Sequence, residues 1–263
     1  MVLESDLALA HRLADAADAI SIRYFTGKAL AVEEKEDGSP VTVADEEIEV
    51  RLRDLISSST PRDVFLGEEF GQVGDGLRRW IVDAIDGTVH FVAGRTSWAT
   101  LIALEIGHRI QLGVVSEPAK GVRSWAERGT GAWSRRSQGG TRRLVVSDRS
   151  SGQGAIVMLF PDVPHLSDWR RTAAERLASA WPDYRGDAAW QGEHEALLVA
   201  RGEADAFLFA TGEIWDHAAL VPIVEEAGGR ATDLLGTRSL STGAVLYTNG
   251  RIHESILDVV NMR

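Results

Sequence analysis

The sequence of 263 residues contains no cysteine. That absence excludes disulfide bonds, thiolate metal ligands and a cysteine nucleophile. The sequence also lacks an apolar run of 18 residues and an apolar signal-type segment near its beginning, which argues against membrane insertion and secretion. We therefore expect a cytoplasmic protein.

Basic residues are in the minority, with 28 Lys and Arg against 39 Asp and Glu, so the formal net charge is −11. This charge disfavours nucleic acids and anionic membranes as partners. It does not exclude a small phosphorylated molecule, because a bound metal ion reverses the local sign of the charge. The length is sufficient for a sizeable core in one large domain or in two small ones.

Several common site motifs are also missing. The sequence has no phosphate-binding P-loop, no glycine-rich dinucleotide motif and no nucleophile elbow around a serine. Its histidines show no spacing typical of a zinc site. The most informative features of the sequence are instead two clusters of acidic residues.

Hydrophobic periodicity predicts an alternation of helices and strands. We expect helices over residues 4–25 and from about 42, and strands at 79–84, 99–106, 110–116 and 122–127 with a hairpin turn at Gly107-His108. Further along we expect strands at 155–160, 204–209 and 245–248, and helices at 168–181, at 216–227 and from about 251. This order favours a layered α/β protein.

Three segments are predicted to lie outside these elements. Residues 27–43 have a loop-like, charged composition, and residues 71–76 suggest a surface turn. The stretch 134–143 is rich in Arg, Ser, Gln and Gly and marks the expected domain boundary. We accordingly predict an N-terminal α/β half at 1–140 with the metal-binding motifs and a C-terminal α/β half at 141–263 that completes the site.

The most informative segment runs from Trp80 to Thr88, where an apolar strand ends in Asp83 and Asp86 and is followed by Gly87. Carboxylates at the end of a buried strand are costly to desolvate unless a cation meets them. Converging oxygen ligands suit Mg²⁺, and the Gly-Thr turn has backbone N–H groups that can hold an anion. The segment predicts phosphate chemistry.

Three other acidic segments have a structural alternative. Thr42-x-x-Asp45 matches a helix capping box, which is compatible with a role for Asp45 in a site. Glu68 and Glu69 follow a short apolar run and can be a solvated turn. Asp216 precedes an apolar helical segment and can be an N-cap.

Four motifs in the same order are similar to those of the Mg²⁺-dependent inositol monophosphatase-like phosphatases. They are Lys35 to Asp45, Gly67-Glu68-Glu69, Asp83-x-Ile85-Asp86-Gly87-Thr88 and Trp215-Asp216. The resemblance extends from about residue 5 to the end. It implies a layered αβαβα sandwich of the inositol monophosphatase/fructose bisphosphatase type.

The resemblance also implies roles for individual residues. Asp45 and Thr88 would orient the attacking water, and Asp86 with the N–H groups of Gly87 and Thr88 would contact the substrate. The implied Mg²⁺ ligands are the side chains of Glu68, Asp83, Asp86 and Asp216 and the carbonyl of Ile85. A homodimer is also implied, for which the Trp-rich stretch 122–133 can supply an interface.

The chain departs from the family pattern at three positions, with Ala84 for a proline, His90 for an asparagine and Phe209 for an acid that contacts substrate. Either Glu213 replaces that acid, or Phe209 closes a strand that faces the core. The segments around Trp98, Gly113 and Ala218 look most like the histidinol-phosphatase branch.

Histidinol phosphate, an intermediate of histidine biosynthesis, is therefore the preferred substrate. Inositol 1-phosphate or another sugar-like phosphate is the alternative within the same chemistry. A catalytically inactive module that binds metal and phosphate is the alternative of another class.

Overall fold

The computed structural model describes residues 4–27, 32–34, 40–151, 154–186 and 194–261. Helix α1 (Asp6–Phe25) and helix α2 (Val43–Ser59) confirm the first two predicted helices. The strands β1 (Val32–Glu34) and β2 (Pro40–Thr42) pair antiparallel between them, so the loop prediction for 27–43 was wrong there. The motif residues 35–39 lie outside the described part of the chain.

The larger sheet has eight strands, in the spatial order β10-β9-β8-β7-β6-β5-β3-β4. The pair β3 and β5 is parallel, and every other pair in this sheet is antiparallel. The strands are β3 (Val64–Gly67), β4 (Gly71–Val73), β5 (Arg78–Asp86), β6 (Ala99–Ile106), β7 (Arg109–Glu117), β8 (Val122–Glu127), β9 (Ala132–Arg136) and β10 (Thr141–Arg143).

The smaller sheet has four strands, in the order β11-β12-β14-β13. They are β11 (Val157–Phe160), β12 (Ala206–Phe209), β13 (Arg230–Thr232) and β14 (Val245–Thr248). The other helices are α3 (Thr88–Val92), α4 (Asp168–Ala180), α5 (Glu195–Ala200), α6 (Ile214–Ala218), α7 (Leu220–Glu226) and α8 (His253–Asn261). No helix in the described ranges is long and apolar enough to cross a membrane.

Three hydrophobic clusters hold five layers together. Because side chains alternate along a strand, Trp80 and Val82 of β5 pack against α1 and α2, whereas Ile81 packs on the opposite face. The central cluster contains that face, helices α5, α6 and α7, and one face of the smaller sheet. The third cluster packs α4 and α8 on the outer face of the smaller sheet. The layers confirm the αβαβα sandwich.

Three sequence-based predictions need correction or remain open. Residues 71–73, predicted as a turn, form the edge strand β4 on β3. The stretch 134–143 contains a hairpin of β9 and β10 at the other edge of the sheet. The division of the chain near residue 140 remains a prediction, since the central cluster contains residues from both sides of it.

The predicted continuous helix over 216–227 is two helices, α6 and α7, separated at Ala219. Pro222 lacks an N–H group and cannot donate to the carbonyl four residues earlier, which weakens the helix at this point. The backbone at Ala219 lies directly against Gly113 of β7, where an added Cβ would collide with the Ala219 carbonyl. This close approach positions α6, which follows the Glu213 turn, over strands β5 and β6.

Gly113→Ala is therefore expected to destabilise the protein by about 1–3 kcal/mol through overpacking. Chemical denaturation monitored by circular dichroism measures the change. Gly140→Ala is the matched control, because a Cβ at Gly140 has no neighbour within 4 Å. Equal stability of the two variants would mean that the α6–α7 junction can move away from β7 at little cost.

Candidate metal centre

Asp83 and Asp86 lie at the C-terminal end of β5, where the pairing with β6 is irregular. Asp83 pairs with Leu101 and Asp86 with Ala99, so three residue steps on β5 match two on β6. In a regular strand, residues three apart point to opposite faces. The bulge removes this difference and allows both carboxylates to point to one side.

Asp216 joins this pair from the third position of α6, which packs on β5 and β6. One carboxylate oxygen from each of Asp83, Asp86 and Asp216 lies within 4.8 Å of the other two. The backbone N–H of Glu213 donates to Asp216 Oδ2 at 2.6 Å, which fixes this carboxylate. The N-cap position belongs to Glu213, so the N-cap alternative for Asp216 was wrong by three residues.

Glu68 follows strand β3, whose last residue Gly67 is in register with Val82 of β5. Because the two strands are parallel, Glu68 and Asp83 occupy equivalent positions at the same edge of the sheet. The turn is held by Glu49, whose buried carboxylate accepts the N–H groups of Glu69 at 2.8 Å and Phe70 at 3.2 Å. Sequence reasoning missed Glu49, although it lies one helical turn after Asp45.

Asp45 confirms the predicted capping box at the start of α2. Its Oδ2 accepts the backbone N–H of Thr42 at 2.8 Å and the Thr42 hydroxyl at 2.6 Å. Burial raises the pKa of Asp45 to about 6, opposed by these hydrogen bonds and aided by the charges of Glu69 and Glu68. Burial likewise raises the pKa of Glu49 to about 7. Both carboxyl groups thus lie close to the acidic cluster in space.

Asp83 and Asp86 are the two carboxyl groups of the cluster whose ionisation is most strongly opposed. Burial raises their pKa values well above the ordinary range, and the neighbouring carboxylates of Glu68 and Asp216 raise them further. Asp83 Oδ1 is buried without a hydrogen-bond partner among the described residues. A divalent cation with a preference for oxygen ligands would relieve both the repulsion and the unsatisfied oxygen. The residues therefore fit a metal such as Mg²⁺.

The backbone conformation of the turn after Asp86 is suited to binding an anion. Gly87 adopts φ of 81°, and a Cβ there would press on the Ser97 carbonyl oxygen. Thr88 is the first residue of α3. The first backbone N–H groups of a helix have no acceptor within that helix, so they can bind an anion. The Thr88 hydroxyl donates to the carbonyl of Ile85 at 2.9 Å, so this residue touches a predicted metal ligand. The Ala84 carbonyl of the same bulge accepts the Thr100 hydroxyl at 2.8 Å.

Phe209 is buried in the central cluster, which confirms the alternative that it closes a strand facing the core. Its ring lies 4.6 Å from the ring of His217 and 5.9 Å from that of His194. Glu213 is exposed and lines a cavity of about 870 Å³, together with Arg109 of β7 and residues of α6 and α7. Its role toward a substrate remains a prediction.

Two buried histidines next to the acidic cluster were missed as functional candidates. His217 directly follows Asp216, and its ring is held between the Thr211 carbonyl at 3.0 Å and the Tyr247 hydroxyl at 3.2 Å. His194 caps α5, and its Nε2 lies 3.9 Å from Asp86 Oδ2. Burial lowers the pKa of His217 to about 4 and that of His194 to about 3, so both rings are neutral. His90, which replaces the family asparagine, is half-buried on α3.

Comparison with known proteins places this geometry in one family. Residues 2–262 match the family model of the inositol monophosphatase family. A histidinol-phosphatase of Streptomyces coelicolor is 39% identical, with 98% of this chain and 97% of the relative covered. One of Mycobacterium tuberculosis is 38% identical over 97% and 98% of the two chains. The suhB protein structure of Bartonella henselae superposes with a TM-score of 0.82 at 28% identity, covering 97% and 98% of the two chains.

The raised carboxyl pKa values predict how the metal-free protein responds to pH. Between about pH 7 and 8, where the histidines of the unfolded chain have already lost their protons, the buried carboxyl groups of the folded chain bind protons that the unfolded chain has released, so stability falls as pH rises. We expect the unfolding temperature in chelator to decrease through this window, and added Mg²⁺ to reduce the decrease. Differential scanning calorimetry at several pH values measures both effects.

Glu49→Gln isolates one contribution to this dependence. Because its pKa is about 7, its removal is expected to flatten the upper part of the profile. Glu46→Gln, exposed on the same helix, is the matched control. An unchanged slope in Glu49→Gln would show that this carboxyl group does not retain its proton in the folded state.

Proposed function

This chain belongs to the inositol monophosphatase family, and we propose that it is a Mg²⁺-dependent phosphatase that hydrolyses a small phosphate monoester. The observation that carries the proposal is the convergence of Asp83, Asp86 and Asp216 within 4.8 Å beside a turn suited to an anion. Histidinol phosphate is the candidate substrate, since two close relatives are named for that activity.

In this proposal the metal ions are held by the side chains of Glu68, Asp83, Asp86 and Asp216 and by the carbonyl of Ile85. Bound Mg²⁺ supplies charge stabilisation for the phosphoryl group and lowers the pKa of water. The protein contributes the placement of these ligands, which the bulge in β5 and the start of α6 determine. The N–H groups of Gly87 and Thr88 hold phosphate oxygens.

Two side chains act on the nucleophilic water. The Thr88 hydroxyl donates its hydrogen to the Ile85 carbonyl and can therefore accept a hydrogen bond from the water, and Asp45 is the second group, at the capped end of α2. With a pKa of about 6 in the metal-free protein, Asp45 is a stronger base than an ordinary carboxylate. It can therefore take the proton that leaves the water as the phosphorus–oxygen bond forms.

A sugar-like polyol phosphate is the second candidate substrate. It is favoured by the family itself, whose matching model is that of the inositol monophosphatases. Phosphate release with Mg²⁺ from a panel of small monoesters tests the proposed function. Mg²⁺ binding with no turnover on any ester would instead favour the inactive binding module. The homodimer also remains a prediction, which light scattering can test.

Asp83→Asn is expected to lower kcat more than about tenfold, or about 1.4 kcal/mol of barrier, and to weaken Mg²⁺ binding. The reason is that Asp83 is a buried member of the cluster whose Oδ1 has no hydrogen-bond partner among the described residues, so it would hold the metal. Isothermal titration with Mg²⁺ and phosphate release are the two measurements. Asp54→Asn on the exposed face of α2 is the control. Retention of more than about a tenth of kcat would reject Asp83 as a required metal ligand.

Thr88→Ala is expected to lower kcat about tenfold or more while Mg²⁺ affinity changes less, because orienting the water matters mainly in the transition state. Thr88→Ser retains the hydroxyl and should recover most of kcat. The same two measurements apply. Parallel loss of Mg²⁺ affinity and kcat in Thr88→Ala would show instead that Thr88 supports the metal ligands through the Ile85 carbonyl.

A further inference from the structure

His217 and Tyr247 form a completely buried pair next to the proposed metal ligand Asp216, and the mechanism above gives them no role. His217 directly follows Asp216 on α6, whereas Tyr247 lies on β14 of the smaller sheet. The Tyr247 ring stacks on Phe207 of β12, with an angle of 15° between the ring planes. The pair thus connects the helix of the metal ligand to the smaller sheet.

The hydrogen bonds of the His217 ring determine which of its nitrogens carries the proton. Nε2 lies 3.0 Å from the carbonyl oxygen of Thr211, which can only accept, so Nε2 must carry a hydrogen. In the neutral ring Nδ1 then has no hydrogen and accepts that of the Tyr247 hydroxyl at 3.2 Å. Tyr247 therefore fixes the tautomer of His217, and His217 fixes the Thr211 carbonyl.

The Thr211 carbonyl belongs to the turn that places Asp216. Gly212 comes next and has φ of 114°, and a Cβ there would lie 2.8 Å from Asp216 Oδ2 and 3.0 Å from His217 Nε2. The following N–H, that of Glu213, donates to Asp216 Oδ2 at 2.6 Å. The turn thus contacts both the carboxylate and the imidazole, so a displacement of the turn would displace the carboxylate.

Two further contacts restrict the turn and the ring. Gly243, in the loop before β14, lies so close to the turn that a Cβ on it would be 2.5 Å from the Gly212 carbonyl oxygen. The Gly243 carbonyl is also a further acceptor for the imidazole. Phe209, at the end of β12, packs edge-on against the His217 ring at 4.6 Å. These contacts leave the imidazole little freedom to move.

We propose that His217 and Tyr247 are positioning residues that hold the Asp216 carboxylate in the place where it ligates the metal. The Tyr247 hydroxyl orients the imidazole, the imidazole holds the Thr211 carbonyl, and the turn after Thr211 presents the carboxylate. This inference rests on the proposed function, because it takes Asp216 as a metal ligand. Groups that orient a ligand without touching the metal typically change metal affinity by about 10- to 100-fold.

Metal binding is measured directly with Mn²⁺, which takes the same octahedral oxygen ligands as Mg²⁺. Electron paramagnetic resonance of free Mn²⁺ gives the dissociation constant of the full-length protein without any turnover. Tyr247→Phe removes only the hydroxyl and is expected to raise this constant about tenfold. Tyr24→Phe is the matched control, because it removes from α1 a tyrosine hydroxyl that donates to Glu47 at 2.8 Å, and it should leave the constant unchanged.

Two substitutions at His217 separate the hydrogen bond from the packing of the ring. His217→Gln retains an N–H group that can reach the Thr211 carbonyl and should retain most of the Mn²⁺ affinity. His217→Asn is too short to reach that carbonyl and should lower the affinity about tenfold or more. Both variants lose the ring that packs on Phe209, so a difference between them cannot arise from that packing.

A double-mutant cycle with Asp216→Asn tests whether Tyr247 acts through this carboxylate. In that background the hydroxyl has no metal ligand to position, so Tyr247→Phe should change the Mn²⁺ dissociation constant by about twofold or less. An effect of about tenfold that persists in the Asp216→Asn background would overturn the inference.

A purely structural role of the pair predicts a different result. Tyr247→Phe would then have a lower unfolding temperature in chelator but the wild-type Mn²⁺ affinity, measured where circular dichroism shows the protein to be folded. That outcome would overturn the inference and leave the phosphatase function in place. Intact Mn²⁺ binding without phosphate release from any ester would reject the phosphatase function and leave the positioning role standing. Absence of Mn²⁺ binding in the wild-type protein would overturn the proposed metal centre and, with it, the inference.

Discussion

The mutual repulsion of buried carboxylates is the constraint on which the rest of the structure depends. Asp83, Asp86 and Asp216 come together within 4.8 Å at a site where Asp83 is almost completely buried. Desolvation and like charge both oppose ionisation of such a group. The folded chain must therefore hold these side chains in an arrangement that a bound cation or proton relieves.

Each carboxylate is held by a different kind of local structure. The bulge in β5 turns Asp83 and Asp86 to one side, and the backbone at Glu213 fixes Asp216 at the start of α6. The contact of Gly113 with the α6–α7 junction presses that helix onto the large sheet. Contacts between layers thus hold the carboxylates together against their mutual repulsion. The stability of the sandwich and the geometry of the site are therefore linked.

At the wall of the site near β12 and α5, the chain departs from the pattern that the family resemblance predicts. Phe209 stands where the family resemblance predicts an acid, and its ring lies 5.9 Å from the ring of His194 and 4.6 Å from that of His217. The predicted acceptor is therefore absent here, and the neutral His194 imidazole lies 3.9 Å from Asp86 Oδ2. Aromatic and imidazole rings replace a carboxylate at this wall of the site.

The sequence by itself determined the elements and the chemical character of the site. Hydrophobic periodicity located α1 and the strands β6 and β8, and the Thr42-x-x-Asp45 motif located the capping box. Both signals depend on residues that are close together in the chain. It also indicated that the clustered acids would need a cation. Only the tertiary structure decided that a bulge brings Asp83 and Asp86 to one side, that Glu49 holds the turn after Glu68, and that His194 lies beside Asp86. These relations join segments that are distant in sequence, and such contacts arise from the packing of layers, which no local pattern encodes.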